Sequence, residues 1–246
     1  MDGQAQPVPP TPRQLTVFDG LPSNTVNRMA EDGYGYLWIA TWDGLARYDG
    51  VGFKVWRHDP ADPASLPGNV VQALHIDAAD RVWVGTENGG LSVMEADRGG
   101  FRHFRQADHP QMGSDDVFAI TSRGSDVWFG TFGGGLHRLS ADGRITRFGA
   151  SADSVDGLPS DNVLSLAFDA RGVLWIGTPH GLACWRAGRF HRPPDPRLSR
   201  AAVMGLHQTA AGLDQEQGIL KAEHTGEVSR HHLTHAMAHQ QVGAHP

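Results

Sequence analysis

Apolar and polar residues alternate in short runs through most of the chain, and no helical period separates these runs. Phe53 to Trp56, Phe101 to Phe104 and Ile145 to Phe148 alternate as half-buried strands do. Near-continuous apolar segments lie upstream: Leu37-Trp38-Ile39-Ala40-Thr41, Val82-Trp83-Val84-Gly85-Thr86, Val127-Trp128-Phe129-Gly130-Thr131 and Leu174-Trp175-Ile176-Gly177-Thr178. Their tryptophans step by 45, 45 and 47 residues, and each segment precedes a Gly-Leu pair at Gly44, Gly90, Gly135 or Gly181. Before each tryptophan stands a further shared element: Leu21-Pro22-Ser23-Asn24, Leu66-Pro67-Gly68-Asn69, a degraded Ser114-Asp115-Asp116-Val117, and Leu158-Pro159-Ser160-Asp161.

One period therefore holds four short strands, which is the size of a β-propeller blade. The sequence predicts an all-β chain of four complete four-stranded blades plus a partial fifth, over residues 13–207. The recurring tryptophans are expected between neighbouring blades, each burying roughly 150–250 Å². Asp32-Gly33, Asp142-Gly143 and Arg171-Gly172 are expected to supply the positive φ of tight hairpins.

The ends fit this repeat less well. Leu15-Thr16-Val17-Phe18 matches the outer strand of a blade but precedes the first inner strand, and in a closed ring such an offset strand completes the last blade. A fifth inner strand begins at Val203-Met204-Gly205-Leu206, with no Trp-Gly-Thr segment after it. An open array follows as the expectation, with a compact ring of four or five blades as the alternative. Open ends would expose two faces that are otherwise packed, which predicts self-association. Residues 1–12 read as a flexible Pro-rich lead-in and 208–246 as a disordered or non-native His-rich tail. In that tail His231, His235 and His239 would share one face of a helix, a weak metal candidate.

A net charge of -6 argues against a nucleic-acid surface. The single cysteine, Cys184, excludes an internal disulfide and is expected to be a buried, unreactive thiol. No apolar run is long enough to cross a bilayer and the start lacks a signal peptide's features, so the chain reads as soluble. No nucleophile with a base, paired carboxylates or phosphate-cradling loop is found, and no cofactor is expected.

The fragments LWIATWDGLARYDG and LWIGTPHGLACW, each led by a Leu-Pro-Ser stretch, resemble the two-component regulator propeller repeat, from about Leu15 to Leu206. The resemblance implies the extracytoplasmic sensor region of membrane histidine kinases, hybrid kinases or diguanylate cyclases, here as a fragment without its output domain. It implies a periplasmic location in the parent, and a small molecule, glycan or periplasmic protein as partner. In propellers the turns between second and third strands surround the channel mouth. These turns vary, and Trp42, Asp43, Glu87, Asn88, Phe132 and His180 are the candidate ligand-binding residues, with Trp42 and Phe132 as exposed aromatic anchors. The rival readings are a propeller lyase or hydrolase and a plain protein-interaction scaffold.

Overall fold

The computed structural model describes residues 13–150 and 157–206, over which the strands form four separate antiparallel sheets of four. The first holds β1 (Val26–Glu31), β2 (Leu37–Thr41), β3 (Gly44–Tyr48) and β4 (Phe53–Trp56). The second holds β5 (Val71–Ile76), β6 (Val82–Thr86), β7 (Gly90–Met94) and β8 (Phe101–Phe104). The third holds β9 (Val117–Arg123), β10 (Asp126–Thr131), β11 (Gly135–Leu139) and β12 (Ile145–Phe148). The fourth holds β13 (Ser165–Phe168), β14 (Leu174–Thr178), β15 (Gly181–Arg186) and β16 (Arg189–His191), and a short helix α1 (Pro196–Arg200) follows. Each sheet runs in chain order, and inner strand packs on inner strand from β1 through β5 and β9 to β13. Over the described residues the array does not close into a ring. The expected lead-in, the tail and its His231, His235 and His239 lie outside the described residues.

The tryptophan of each blade faces the blade that follows. Trp38 packs with Val71, Leu74 and Val82, Trp83 with Val117, Ile120 and Phe129, and Trp128 with Val163, Leu174 and Ile176. These three indoles are 0%, 2% and 5% exposed. Trp175 has no following blade among the described residues and is only half-buried, as is Cys184, its cross-strand neighbour. Burial still pushes the Cys184 thiol above its ordinary pKa, with Arg186 pulling the other way. At the opposite end, Met29 of β1 holds the register that Leu74 holds in β5, yet Met29 is 64% exposed and Leu74 is 9% exposed.

The leucine of each Leu-Pro element is a core residue. Leu21, Leu66 and Leu158 are buried against the near face of their own blades, and Met112 takes this place in the third.

Three local expectations are corrected. Val17–Asp19 is a 3-10 turn, not an outer strand. No described strand lies beside it, its amides are capped by Thr16 and Asn24, and Phe18 is 97% exposed. Val203–Leu206 is not in a strand. Val203 nonetheless docks as an inner strand begins: it is fully buried and donates to the Thr178 carbonyl at 2.9 Å, as Val163 donates to Thr131 at 3.0 Å. In the first hairpin the positive φ falls on Gly35 (82°), not Gly33, because Asp32 opens a three-residue loop whose last position is left-handed. Gly143 and Gly172 do carry positive φ.

His137 on β11 lies flat on Phe129 (ring centroids 4.8 Å apart), and its Nε2 accepts from the Gly113 amide at 3.4 Å. Burial, helped by the nearby Arg147 charge, pushes its pKa down to about 4. Between the unfolded value near 6.5 and about 4, the folded state binds fewer protons than the unfolded chain. Stability therefore falls with pH through that window, by about 3 kcal/mol from this group, and the loss is complete below it. Urea melts of His137→Leu at successive pH values should show a shallower acid-side decline than the parent. An identical decline would place the loss elsewhere.

Candidate functional site

The turns between second and third strands lie on one rim, and a repeated set of hydrogen bonds fixes their backbone. The amides of Gly44, Gly90 and Gly135 donate to the carbonyls of Asn69, Asp115 and Asp161 in the next blade, at 2.7–2.8 Å. The side chains of these same residues cap the incoming linker: Asn69 accepts from His58 N, Asp115 from Gln106 N and Asp161 from Ala150 N, each at 2.7 Å. The following residue caps the previous turn, with Asp116 accepting from Asn88 N and Asn162 from Gly133 N. Blade is thus tied to blade at the rim by short polar side chains in the Leu-Pro element.

On this frame the candidate residues sit one turn per blade. Trp42 is half-exposed and its amide donates to the Thr25 carbonyl. Asp43 pairs with Arg57 at 3.1 Å and accepts from Asn69 Nδ2 at 3.3 Å, so it bridges its turn to the outgoing linker. Glu87 is half-exposed, while Asn88, in a left-handed conformation at φ 55°, and His180 are exposed. Phe132 is a correction: it is 5% exposed and cannot be a surface anchor. A bulge in β9 leaves Phe118 out of the ladder, and its ring lies 5.8 Å from that of Phe132. The bulge was not read from the sequence, and neither was the cover that it gives Phe132. The six candidates share the rim, one turn to each blade.

The opposite rim carries a device that pattern reading missed. Asp32, Asp77 and Asp169 each accept two backbone amides of the hairpin turn on Oδ1 and the indole N–H six residues ahead on Oδ2. The Nε1 to Oδ2 distances are 2.8 Å for Trp38, 2.8 Å for Trp83 and 3.1 Å for Trp175. For Asp77, burial raises the carboxyl pKa, but the Trp83 and Arg81 hydrogen bonds outweigh it and hold the group below its ordinary value. The constant Asp-to-Trp spacing was the available signal. Arg98 of the second blade reaches back to Asp32 at 3.0 Å and lies over the Trp38 ring at 4.9 Å, closing the seam between the first two blades.

Residues 20–43, 65–88 and 157–180 match the family model of the two component regulator propeller. Each matched stretch runs from the Leu-Pro element to the rim turn, and the third blade falls outside them. Histidine kinase P4 of Formosa agariphila is 39% identical over 54 residues, 22% of this chain and 4% of that protein. The extracellular domain of the hybrid two component system BT3049 of B. thetaiotaomicron superposes with a TM-score of 0.56 at 23% identity, over 80% of this chain and 33% of that one. That of BT4673 from the same organism gives 0.60 at 20% identity, over 78% and 25%. The chain thus spans a third or less of each, and at these identities the structural likeness shows the propeller fold.

Proposed function

Since this chain is built from two-component regulator propeller repeats, we propose that it is the sensing portion of a bacterial signalling receptor, binding a ligand or partner protein at the rim of variable turns. The observation that carries this reading is the contrast between a hydrogen-bonded frame repeated from blade to blade and turn residues that differ at every blade: Trp42-Asp43, Glu87-Asn88, Phe132-Gly133 and Pro179-His180. Fixed backbone with varied side chains is what a recognition surface requires. Output chemistry belongs to a kinase or cyclase domain outside this chain, and the sensing portion itself binds and does not transform. A periplasmic or extracellular setting is part of the proposal, supported by the extracellular domains it resembles in fold. No helix among the described residues is long and apolar enough to cross a membrane.

The experiment is a thermal-shift screen of glycans and small metabolites, with a pull-down from periplasmic extract, on the parent and on a Trp42→Ala, Glu87→Ala, His180→Ala triple variant. A ligand or partner that stabilises the parent and not the equally stable variant is the expected result. One that binds both alike contradicts the rim as the site.

The open faces extend the proposal to self-association. Met29, Val26 and Val17 are exposed at the leading end and Trp175 is half-buried at the trailing end, so one copy's last blade matches what another's first blade lacks. Sedimentation should show concentration-dependent association that Met29→Glu weakens. A parent monomeric at all concentrations would refute it.

A further inference from the structure

The third blade departs from the other three at one spot. In blades one, two and four the repeat tryptophan pairs across the hairpin with the residue eight positions back: Trp38 with Ala30, Trp83 with His75 and Trp175 with Ala167. Trp128 pairs with Thr121, seven back, because the β9–β10 turn is one residue shorter. The side chain two residues beyond, on the face of the tryptophan, is Asp32, Asp77 or Asp169 elsewhere and Arg123 here. Trp128 is 5% exposed, and its indole N–H has no acceptor among the described residues. A cation stands where the repeat has its carboxylate.

The space left is a cavity of about 260 Å³ between blades three and four, open to solvent and lined by Arg123, Asp126, Trp128, Arg138, Phe168 and Trp185 among others. Between the first two blades the equivalent space is filled by Arg98 from the β7–β8 loop; at the third and fourth blades the short Ala187-Gly188 turn between β15 and β16 leaves the space open, with Arg186 and Ala187 lining its edge. Arg123 lies over the Phe168 ring at 5.7 Å, seated against Gly172, where a Cβ would overlap its guanidinium. Arg138 pairs with Asp126 at 2.8 Å, while Arg123 has no carboxylate partner among the described residues. Two guanidinium groups without a carboxylate partner among the described residues, Arg123 and Arg186, one indole donor and two aromatic walls therefore meet in one cavity.

We infer that this cavity binds a small carboxylate carried on a ring, whose carboxyl group takes the place of the missing aspartate between Trp128 Nε1 and Arg123 while the ring lies against Phe168 and Trp185. The chain supplies its own template: at the first seam one carboxylate, that of Asp32, accepts from the Trp38 indole at 2.8 Å and from an arginine at 3.0 Å. Guanidinium and indole donors favour an anion, and the flat apolar walls favour a ring over a bare ion. The site is on the rim opposite the variable turns and does not depend on their role.

The test follows the Trp128 indole resonance in ¹H–¹⁵N spectra of the full chain during titration with benzoate, galacturonate, benzyl alcohol and inorganic phosphate. One or both carboxylates should move that resonance with a Kd of roughly 0.1–5 mM, and which binds tighter separates an aromatic acid from a sugar acid. Arg123→Ala should weaken binding about tenfold or more. Arg123→Asp, which restores the repeat's own carboxylate, should abolish it while leaving the melting temperature of the parent or raising it. A resonance that neither carboxylate moves, an equal response to benzyl alcohol or to phosphate, or undiminished binding by Arg123→Ala would each overturn the inference.

Discussion

Trp83→Ala should destabilise the protein by about 3–5 kcal/mol, and Trp175→Ala by less than half of that, although the two occupy the same place in the repeat. Trp83 is 2% exposed, packed against Val117, Ile120 and Phe129 of the next blade, with its indole donating to Asp77. Truncation leaves a cavity between two blades and removes one of the two donors to Asp77 Oδ2, the other being Arg81 Nε at 2.7 Å, and each of these adds to the transfer loss. Trp175 is half-buried, so the surface removed is already partly wet and solvent can fill the gap. Denaturant melts of the two variants read the difference. Equal losses would mean that a fifth blade covers Trp175.

Gly130→Ala should cost about 1–3 kcal/mol through overpacking at the seam between blades three and four. A Cβ there would lie 2.2 Å from Val163 Cγ1 and 2.9 Å from its carbonyl oxygen, so the inner strand of the fourth blade would have to move outward. Gly85 meets Val117 in the same way, at 2.6 Å. The first blade carries Ala40 at this position, fully buried against the second, so that seam is built wide enough for a methyl group. The reverse change, Ala40→Gly, should therefore cost stability by leaving a small void, about 1 kcal/mol.

The blades were legible because the chain repeats itself: the steps of 45 to 47 residues locate all four second strands, and Trp-Gly-Thr followed by Gly-Leu locates each hairpin. The ends were half-legible. The register of Leu15 to Phe18 pointed to an outer strand, but a strand exists only with its partner, and with none among the described residues the segment Val17–Asp19 is a capped 3-10 turn. Val203 docks where the sequence placed it. At the rim, exposure was misjudged for Phe132 because a bulge turned Phe118 over it. On the opposite rim the Asp-to-Trp spacing stood in plain sight, but its meaning required the fold, since only the hairpin brings Asp32, Asp77 and Asp169 to the indole six residues on. The uncapped Trp128 follows from a turn one residue shorter, which shifts register without disturbing any apolar position.

The claim on which the rest stands is that Trp38, Trp83 and Trp128 fill equivalent seams between the four described blades, while Trp175 stands on a face that no described blade covers. Hydrogen exchange of the indole N–H groups, assigned by single Trp→Phe replacements, tests it directly. Trp38 and Trp83, buried and bonded to Asp32 and Asp77, should exchange only on global unfolding, and Trp175, bonded to Asp169 but half-buried, should exchange much faster. Protection of Trp175 equal to that of Trp38 would mean a closed ring, and rapid exchange at Trp38 or Trp83 would mean that the blades do not stack as described.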